Sequence, residues 1–156
     1  MIDFVGIYRV LAVIDGDGFI GAHIISNDVV EFRLYGIDAP EIKVCKKLKQ
    51  DEKELHIPGE LLTQLGAISA SFLRSVLPVD TLVTVKQESQ NKADKYGRKL
   101  CYCFVQDGSS INALLVAEGY AKPYSSIYCE QLPELQRWNI LAKQNSKGLY
   151  NLVPAF

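Results

Sequence analysis

Three strand-like runs separated by short turns lie near the start of the chain, and they constrain the fold more than any other feature. Residues 6–14, 19–25 and 29–37 are rich in β-branched, aromatic and other apolar side chains. The turn sequences at residues 15–18 (DGDG) and 26–28 (SND) separate these runs, and both have the composition of tight turns. We therefore predict a three-stranded antiparallel meander that forms part of a barrel.

Two more strand-like runs and a short helix follow later in the chain. Residues 81–88 and 99–105 are the strand-like runs, joined by a polar segment as a hairpin with a long arm. The short helix is capped by Ser109 or Ser110 and ends before Gly119. With the meander, these runs make five strands, which predicts an α+β, mainly β protein built on a barrel.

Two further helices show apolar stripes. One follows the PG sequence at residues 58–59, and its apolar side chains recur at spacings of three and four: Leu61, Leu65, Ile68, Phe72 and Val76. The last helix begins near Pro133 and stops before Gly148, and we predict four residues on its buried face: Leu132, Leu135, Trp138 and Ala142. The sequence thus predicts three helices in all.

Residues 42–57 are densely charged and show no sustained apolar period. We interpret this segment as an exposed loop with room for one helical turn. As a functional element it would be a mobile lid or a basic surface that guides substrate. Runs of mixed charge are more often an ordinary solvated face, which is the favoured interpretation.

The composition indicates one domain over residues 1–156. A chain of this length with 48% hydrophobic residues can bury a full core. Its net charge of −1 excludes a protein that coats nucleic acid non-specifically, because such binding rests on neutralising many phosphates. No stretch approaches the roughly 20 apolar residues of a membrane span, so we expect no membrane association.

The four cysteines lack the paired Cys-x-x-Cys spacing of structural zinc sites; they are Cys45, Cys101, Cys103 and Cys129. We expect reduced thiols, and with no leader-like segment at the start, a cytoplasmic protein. A secreted or periplasmic domain that had lost its leader would begin in the same way.

Charged residues gather where the third strand-like run ends, at Arg33, Asp38 and Glu41. Desolvating such charges costs about as much as pairing them returns, so the group suits ligand binding better than stability. Asp17 in the first turn adds a carboxylate if the hairpin meets this strand end. Oxygen ligands without histidine or cysteine indicate calcium or magnesium. A turn aspartate also has a purely structural use, and Arg33 has a simpler partner in Glu31 or Asp38.

Arg33 and Arg98 extend the prediction to phosphate, because guanidinium groups make bidentate contacts with phosphate oxygens. A metal ion would polarise a phosphoryl oxygen, the arginines would stabilise the charge of the transition state, and a carboxylate would orient or deprotonate a water molecule. This set of groups predicts phosphodiester hydrolysis.

Four motifs carry a resemblance to a known family. They are DGD at residues 15–17, RLYGIDAPE at 33–41, DKYGR at 94–98 and NALLVAEGYA at 112–121. In this order and combination the chain resembles the staphylococcal nuclease, or thermonuclease, family. The resemblance implies a five-stranded OB-type barrel with three α-helices. It also implies an endonuclease that cleaves DNA and RNA with Ca²⁺ and leaves 3′-phosphates.

The resemblance also implies roles for individual residues. Asp17 and Asp38 would ligate calcium together with the Ala39 carbonyl, and Glu41 would act through water as the base. Arg33 and Arg98 would hold the scissile phosphate. Contacts with a terminal phosphate of the bound nucleotide would come from Lys95 and Tyr96.

Departures from the family pattern affect the expected site. Gly18 stands where the family usually has threonine beside the metal-binding aspartate, which predicts weaker support for the metal. Tyr124 and Tyr128 are not spaced like the family's base-stacking pair, so they are either stacking residues or ordinary surface aromatics. The longer segment 42–57 makes the expected preference for single strands less transferable.

Two functions therefore compete at the level of sequence. The first is a monomeric calcium-dependent nuclease that acts on DNA and RNA. The second is a non-catalytic OB-type module that binds single-stranded nucleic acid or a protein partner. Such a module has no need of five charged groups in this pattern: Arg33, Arg98, Asp17, Asp38 and Glu41. This difference favours the nuclease.

Overall fold

The structure, a computed structural model, describes residues 1–156. It contains seven strands, four α-helices and one 3-10 helix. In chain order these are β1 (Ile2–Asp15), β2 (Gly18–His23), β3 (Val29–Leu34), β4 (Ile37–Asp38), α1 (Lys46–Leu55), α2 (Gly59–Val76), β5 (Leu82–Glu88), β6 (Lys99–Phe104), α3 (Ile111–Ala117), β7 (Lys122–Pro123), α4 (Leu132–Gln144) and the 3-10 helix Gly148–Asn151.

Five of these strands form a closed barrel in the order β1-β2-β3-β6-β5. Neighbouring strands are antiparallel except β3 and β6, which are parallel. The long β1 pairs with both β2 and β5 and is bent by register shifts, which lets one strand serve two neighbours around the barrel. The predicted five-stranded OB-type barrel is confirmed, although β1 starts at Ile2 rather than at residue 6.

The barrel interior is filled by side chains that alternate inward along the strands. Phe19 and Phe32 stack at its centre with their rings 5.1 Å apart. Other fully buried residues from the strands join them: Val10, Leu34, Val83, Val85, Cys101 and Cys103. The helices α2 and α3 close the barrel with Leu73 and Leu115, both without exposed surface. The barrel core is therefore one continuous apolar cluster, and two smaller buried clusters lie beside it.

The predicted number of helices was wrong, because residues 42–57 contain the helix α1 instead of a loop. Cys45 caps its first turn, where its sulfur accepts a hydrogen bond from the Leu48 amide. Two polar pairs four residues apart support it: Lys47 with Asp51 on a partly buried face, and Gln50 with Glu54 on the exposed face. Only Leu48 is buried within this helix, so the apolar period that would have predicted it is missing.

Two predictions about buried helix faces need correction. On α2 the buried face is rotated from the predicted stripe, since Ile68 is 40% exposed while small residues face inward. The buried residues are Leu62, Leu65, Gly66, Ser69, Ala70 and Leu73. On α4 the prediction held for three residues, but Trp138 is 40% exposed and donates a hydrogen bond to Glu134. Small side chains account for the rotated buried face of α2, and the hydrogen bond to Glu134 accounts for the exposed position of Trp138 on α4.

All four cysteines are free thiols, with Cys45 exposed and the other three buried. Burial raises the pKa of Cys101 and of Cys103, which keeps these thiols protonated. Among the helices, none is both long enough and apolar enough to cross a bilayer.

Candidate active site

The end of β3 and the short β4 form the floor of the candidate site. The chain turns at Gly36, whose φ of +79° suits glycine, and then Asp38 pairs with Lys122 of β7. The next residues run close to α2, where a side chain at Gly66 would meet the Glu41 carbonyl at 2.5 Å. This close packing fixes the backbone that carries Asp38 and Glu41.

Asp17 comes from the β1–β2 turn and is joined to this floor by hydrogen bonds. The Leu34 amide donates to the Asp17 carbonyl at 2.8 Å, and the Ala39 amide donates to its carboxylate at 2.9 Å. Asp17 and Asp38 are both buried, with 6% and 5% of their surfaces exposed. The hairpin and the strand end therefore meet, as the sequence predicted.

Arg33 lies between the two aspartates. Its Nη1 is 3.1 Å from Asp17 Oδ2, and its Nη2 is 3.5 Å from Asp38 Oδ1 and 3.2 Å from the Ile37 carbonyl. Nη1 is buried and faces Asp17 without an aligned hydrogen bond, so this contact is an ion pair with poor hydrogen-bond geometry. A guanidinium held in this way is suited to donate to an anionic oxygen of a ligand.

A second cation, Lys47 of α1, reaches the same carboxylates from the opposite side. Its Nζ is 3.0 Å from Asp38 Oδ2, 3.8 Å from Glu41 Oε1 and 2.7 Å from Asp51 Oδ2. Asp38 is thus contacted by Arg33 on one oxygen and by Lys47 on the other. Glu41 joins the group through Lys47.

The charges do not balance in this group. Five carboxylates share two cations, and they are Asp15, Asp17, Asp38, Glu41 and Asp51. Burial is the largest cause of a raised pKa at Asp17, to about 6, and Arg33 offsets it only in part while Asp15 adds to it. Burial likewise raises the pKa of Glu41 against the opposing effect of Lys47. A dense negative group of this kind favours an additional cation.

The donor set fits a hard divalent cation. Carboxylate oxygens are the ligands that calcium and magnesium prefer, and no histidine or cysteine lies among them. The side chains are not drawn together around one point, since no three acidic, histidine or cysteine groups converge as a preformed metal cluster. Arg33 and Lys47 lie between them instead.

The remaining predicted phosphate ligand, Arg98, is held apart from the carboxylates. It precedes β6, whose first residue, Lys99, pairs with Phe32 of β3. Its Nε donates to Asp94 Oδ2 at 2.7 Å, and the same aspartate accepts from the Arg98 amide at 2.9 Å. The structure therefore places Arg98 beside the strand that carries Arg33 but pairs it with Asp94.

Three aromatic residues predicted to contact substrate lie at the surface or close to it. Tyr96 is 73% exposed, with the Lys95 ammonium 5.1 Å and the Arg98 guanidinium 5.6 Å from its ring centre. Tyr128 is 68% exposed. Tyr124 is half-buried, and its amide donates to the Gly36 carbonyl beside β4. These residues can present flat faces to bases.

Gly18 has less room than the family pattern requires. A Cβ at this position would lie 3.1 Å from Asp15 Oδ1 and 3.3 Å from the Phe32 carbonyl. The Asp15 carboxylate occupies that space because it accepts a hydrogen bond from the Asp17 amide at 3.1 Å. Asp15 thus lies where a threonine side chain would otherwise extend.

Sequence reasoning did not identify Lys47, Asp51 or Asp15 as part of the site. The spacing of four between Lys47 and Asp51 is the signal that could have found the first two, because it places both side chains on one face of a helix. In the sequence Asp15 belongs to the turn at residues 15–18 and to the DGD motif, and neither assigns it a role of its own. Its position two residues before Asp17 is typical of an Asx turn.

The chain is similar to a known family and to proteins named as endonucleases. A family model described as "Staphylococcal nuclease homologue" matches residues 31–152. "Endonuclease YhcR" of Bacillus subtilis (strain 168) is 31% identical over 144 residues, which cover 89% of this chain and 11% of that protein. An "Uncharacterized endonuclease" of Escherichia coli O157:H7 is 31% identical over 144 residues, covering 92% of this chain and 76% of that protein. The chain thus spans only a small part of the Bacillus relative.

Proposed function

Because the chain belongs to the family of staphylococcal nuclease homologues, we propose that it is a calcium-dependent endonuclease that hydrolyses phosphodiester bonds of DNA and RNA. One observation carries the proposal: Arg33 lies between the buried Asp17 and Asp38, and its buried Nη1 faces Asp17 without an aligned hydrogen bond. Burying these charges costs about as much as pairing them returns, so the arrangement suits ligand binding better than stability. The endonuclease names of two relatives support the same class of reaction.

Asp17 and Asp38 are the proposed calcium ligands, together with the Ala39 carbonyl. A calcium ion held there would supply positive charge that polarises a phosphoryl oxygen. It would also offset the burial that, together with the Asp15 charge, raises the pKa of Asp17. The Ala39 amide holds the Asp17 carboxylate in place at 2.9 Å, so this ligand is oriented before metal binds.

Glu41 is the proposed base. Its side chain is 29% exposed, which leaves it accessible to water, and its raised pKa makes it a better proton acceptor than an ordinary glutamate. We propose that it takes a proton from the attacking water and that the 5′-oxygen leaves, which yields a 3′-phosphate. The oxygen of this water bonds to phosphorus, the bond from phosphorus to the 5′-oxygen breaks, and the leaving 5′-oxygen takes a proton from solvent water.

Two arginines are proposed to hold the scissile phosphate, and they differ in readiness. Arg33 Nη1 contacts Asp17 without an aligned hydrogen bond, so it can donate to a phosphate oxygen from its present position. Arg98 has to exchange Asp94 for a phosphate oxygen, and both partners are partly exposed. We place Lys95 and Tyr96 at the terminal phosphate, and Tyr124 and Tyr128 under bases of a single strand.

Cleavage of circular single-stranded DNA tests the proposal, because a circle offers no end to an exonuclease. With calcium the purified protein should linearise and degrade the circle, and the new 3′ ends should become extendable only after phosphatase treatment. Excess EDTA should abolish the reaction, and calcium added back should restore it. Binding of the oligonucleotide without cleavage under calcium, magnesium or manganese would instead establish the non-catalytic OB-type module.

A further inference from the structure

Lys47 holds a position that none of the proposed catalytic roles uses. Its ammonium lies between three carboxylates, 3.0 Å from Asp38, 3.8 Å from Glu41 and 2.7 Å from Asp51. Two of these carboxylates belong to the proposed metal ligand and base. The lysine comes from α1, the helix that the apolar pattern of the sequence did not predict.

Lys47 differs from the other lysines of its helix. Lys46, Lys49 and Lys53 are exposed and make no ion pair, whereas Lys47 is half-buried with 35% of its side chain exposed. Leu48 anchors the same turn by packing into a cluster with Leu62 of α2. The orientation of Lys47 toward the carboxylates is therefore imposed by the docking of α1.

An ammonium and a calcium ion on the same carboxylate repel each other, because both are cations held a few ångströms apart. Asp38 Oδ2 already lies 3.0 Å from the Lys47 ammonium, while Asp38 Oδ1 faces Arg33. Neither oxygen of this proposed ligand is free of a cation. Calcium binding at Asp38 is therefore opposed by these cations and favours release of the more exposed one, Lys47.

We propose that Lys47 is an internal competitor of calcium that determines how much calcium the site requires. In the metal-free protein its ammonium neutralises Asp38 and Glu41, and it leaves them when calcium binds. This inference rests on the proposed function, since it assumes that Asp38 is a metal ligand. Lys47 acts through Asp38 and Glu41, so it is an affinity-determining residue and takes no part in the chemical step.

Asp51 determines where the displaced ammonium goes. It lies one helical turn from Lys47, and their 2.7 Å contact lies within α1. The ammonium therefore keeps one carboxylate partner when it releases Asp38, and this lowers the cost of displacement. Without Asp51 the ammonium would have only the site carboxylates as partners and would compete more strongly.

Calcium affinity measured by titration calorimetry, without nucleic acid, tests the inference. Lys47→Met removes the ammonium, keeps the length of the side chain and retains a good helix former. Lys49→Met is the matched control, since it removes the same charge from an exposed position of α1. We expect Lys47→Met to bind calcium roughly tenfold more tightly than Lys49→Met. Circular dichroism checks that α1 persists, and Lys47→Gln serves if Lys47→Met fails to fold.

Asp51→Asn separates competition from simple attraction by charge. It should weaken calcium binding in the wild-type background, where Lys47 loses its alternative partner. In the Lys47→Met background it should have almost no effect, because no ammonium has to be accommodated. An equal loss of affinity in both backgrounds would show that Asp51 merely attracts or ligates calcium, and the proposed role of Asp51 would be overturned.

The outcomes for Lys47 are distinct from those for the nuclease. If the wild-type protein binds calcium and cleaves DNA, but Lys47→Met binds calcium no more tightly than Lys49→Met, the competitor role is wrong and the nuclease stands. If neither the wild-type protein nor Lys47→Met binds calcium at millimolar concentrations, the calcium site and the competitor role both fall.

Discussion

The two arginines proposed to hold phosphate lie in contrasting surroundings. Arg33 is 14% exposed and is packed between two buried aspartates. Arg98 is 24% exposed and is held by a single aspartate of its own loop. Removal of Arg33 would therefore disturb buried contacts of the fold, whereas Arg98 can exchange its partner without breaking a contact of the barrel. We call Arg33 with Asp17 and Asp38 the rigid half of the proposed site, and Arg98 with its loop the adaptable half.

This contrast has an electrostatic origin. The attraction of Asp17, Asp38, Asp15 and Glu41 outweighs the burial of Arg33 and raises the pKa of its guanidinium. At the other arginine, hydrogen bonds from Arg98 and from the Tyr96 amide outweigh partial burial and lower the pKa of Asp94. Charge in the rigid half is concentrated and buried. In the adaptable half the charges belong to one ion pair, Arg98 with Asp94, which is partly exposed to water. Ion pairs in contact with water contribute little to stability.

Replacement of Arg33 should produce the largest effect. In Arg33→Gln we expect kcat to fall by about 10³- to 10⁴-fold, since the transition state loses a prepositioned cation. The free energy of unfolding should also fall, by about 3 kcal/mol, because Asp17 and Asp38 are left buried without their partner. Single-turnover assays at saturating calcium and urea unfolding measure the two effects.

Arg98→Gln is the matched variant for the adaptable half. Its kcat should fall by about 10²- to 10³-fold, while its free energy of unfolding should change by less than about 0.5 kcal/mol. If Arg98→Gln destabilised the protein as strongly as Arg33→Gln, the distinction between a rigid and an adaptable half would be wrong.

Glu41→Gln should lower kcat by about 10²- to 10³-fold and leave the calcium affinity within a few-fold of the wild type. The glutamine keeps the shape of the side chain but accepts no proton. In the wild-type protein kcat should fall on the acidic side, where Glu41 becomes protonated and can no longer accept a proton from water. This acidic limb should be missing from the residual activity of the variant.

The barrel could be predicted from sequence because it rests on local signals. The turn composition at residues 15–18 and 26–28 and the apolar runs around it are sufficient for the meander. The helix α1 lacks such a signal, since Leu48 is its only buried residue. Its stability comes from a sulfur cap at Cys45 and from docking against α2. The docking contacts are long-range and the cap depends on a weak sulfur acceptor, so both leave little pattern in the chain.

The site was predictable to the extent that its residues are adjacent in sequence or recur in family motifs. Arg33, Asp38 and Glu41 lie within nine residues of one another, so their convergence needs only a strand end. Asp17 precedes the matched range 31–152, and its place depends on the hairpin that the structure confirms. The spacing of Lys47 and Asp51 indicates a shared helix face, but the contact of Lys47 with Asp38 could not be predicted, because it depends on how α1 packs.

Asp17→Asn should show that the rigid half of the site is held at a cost to stability. The native pKa of Asp17, about 6, exceeds the value of 3.8 for the unfolded chain, so the native state binds this proton more tightly. Its contribution to stability is full below about pH 4 and is lost as the pH rises through 6. Without metal, Asp17→Asn should thus be more stable than the wild type at pH 8 by up to about 3 kcal/mol.

Urea unfolding in EDTA at pH 4 to 8 measures this difference. The advantage of Asp17→Asn should vanish near pH 4, where the wild-type carboxyl is protonated. Asp28→Asn removes one charge from an exposed turn and should show no such pH-dependent gain. A variant that is less stable than the wild type at every pH would mean that Arg33 returns more to Asp17 than burial removes.

Tyr96→Ala should give the smallest effect and the sharpest test of the adaptable half. Tyr96 is 73% exposed, so the melting temperature should stay within about 1 °C of the wild type. Loss of its hydroxyl, the proposed contact with a terminal phosphate, should raise KM for single-stranded DNA by roughly three- to tenfold and leave kcat unchanged. Tyr96→Phe keeps the ring that Lys95 and Arg98 approach but lacks the hydroxyl, so it should raise KM as much as Tyr96→Ala does. If Tyr96→Phe retained the wild-type KM, the ring and not the hydroxyl would be the substrate contact, and the place of Tyr96 at a terminal phosphate would be wrong.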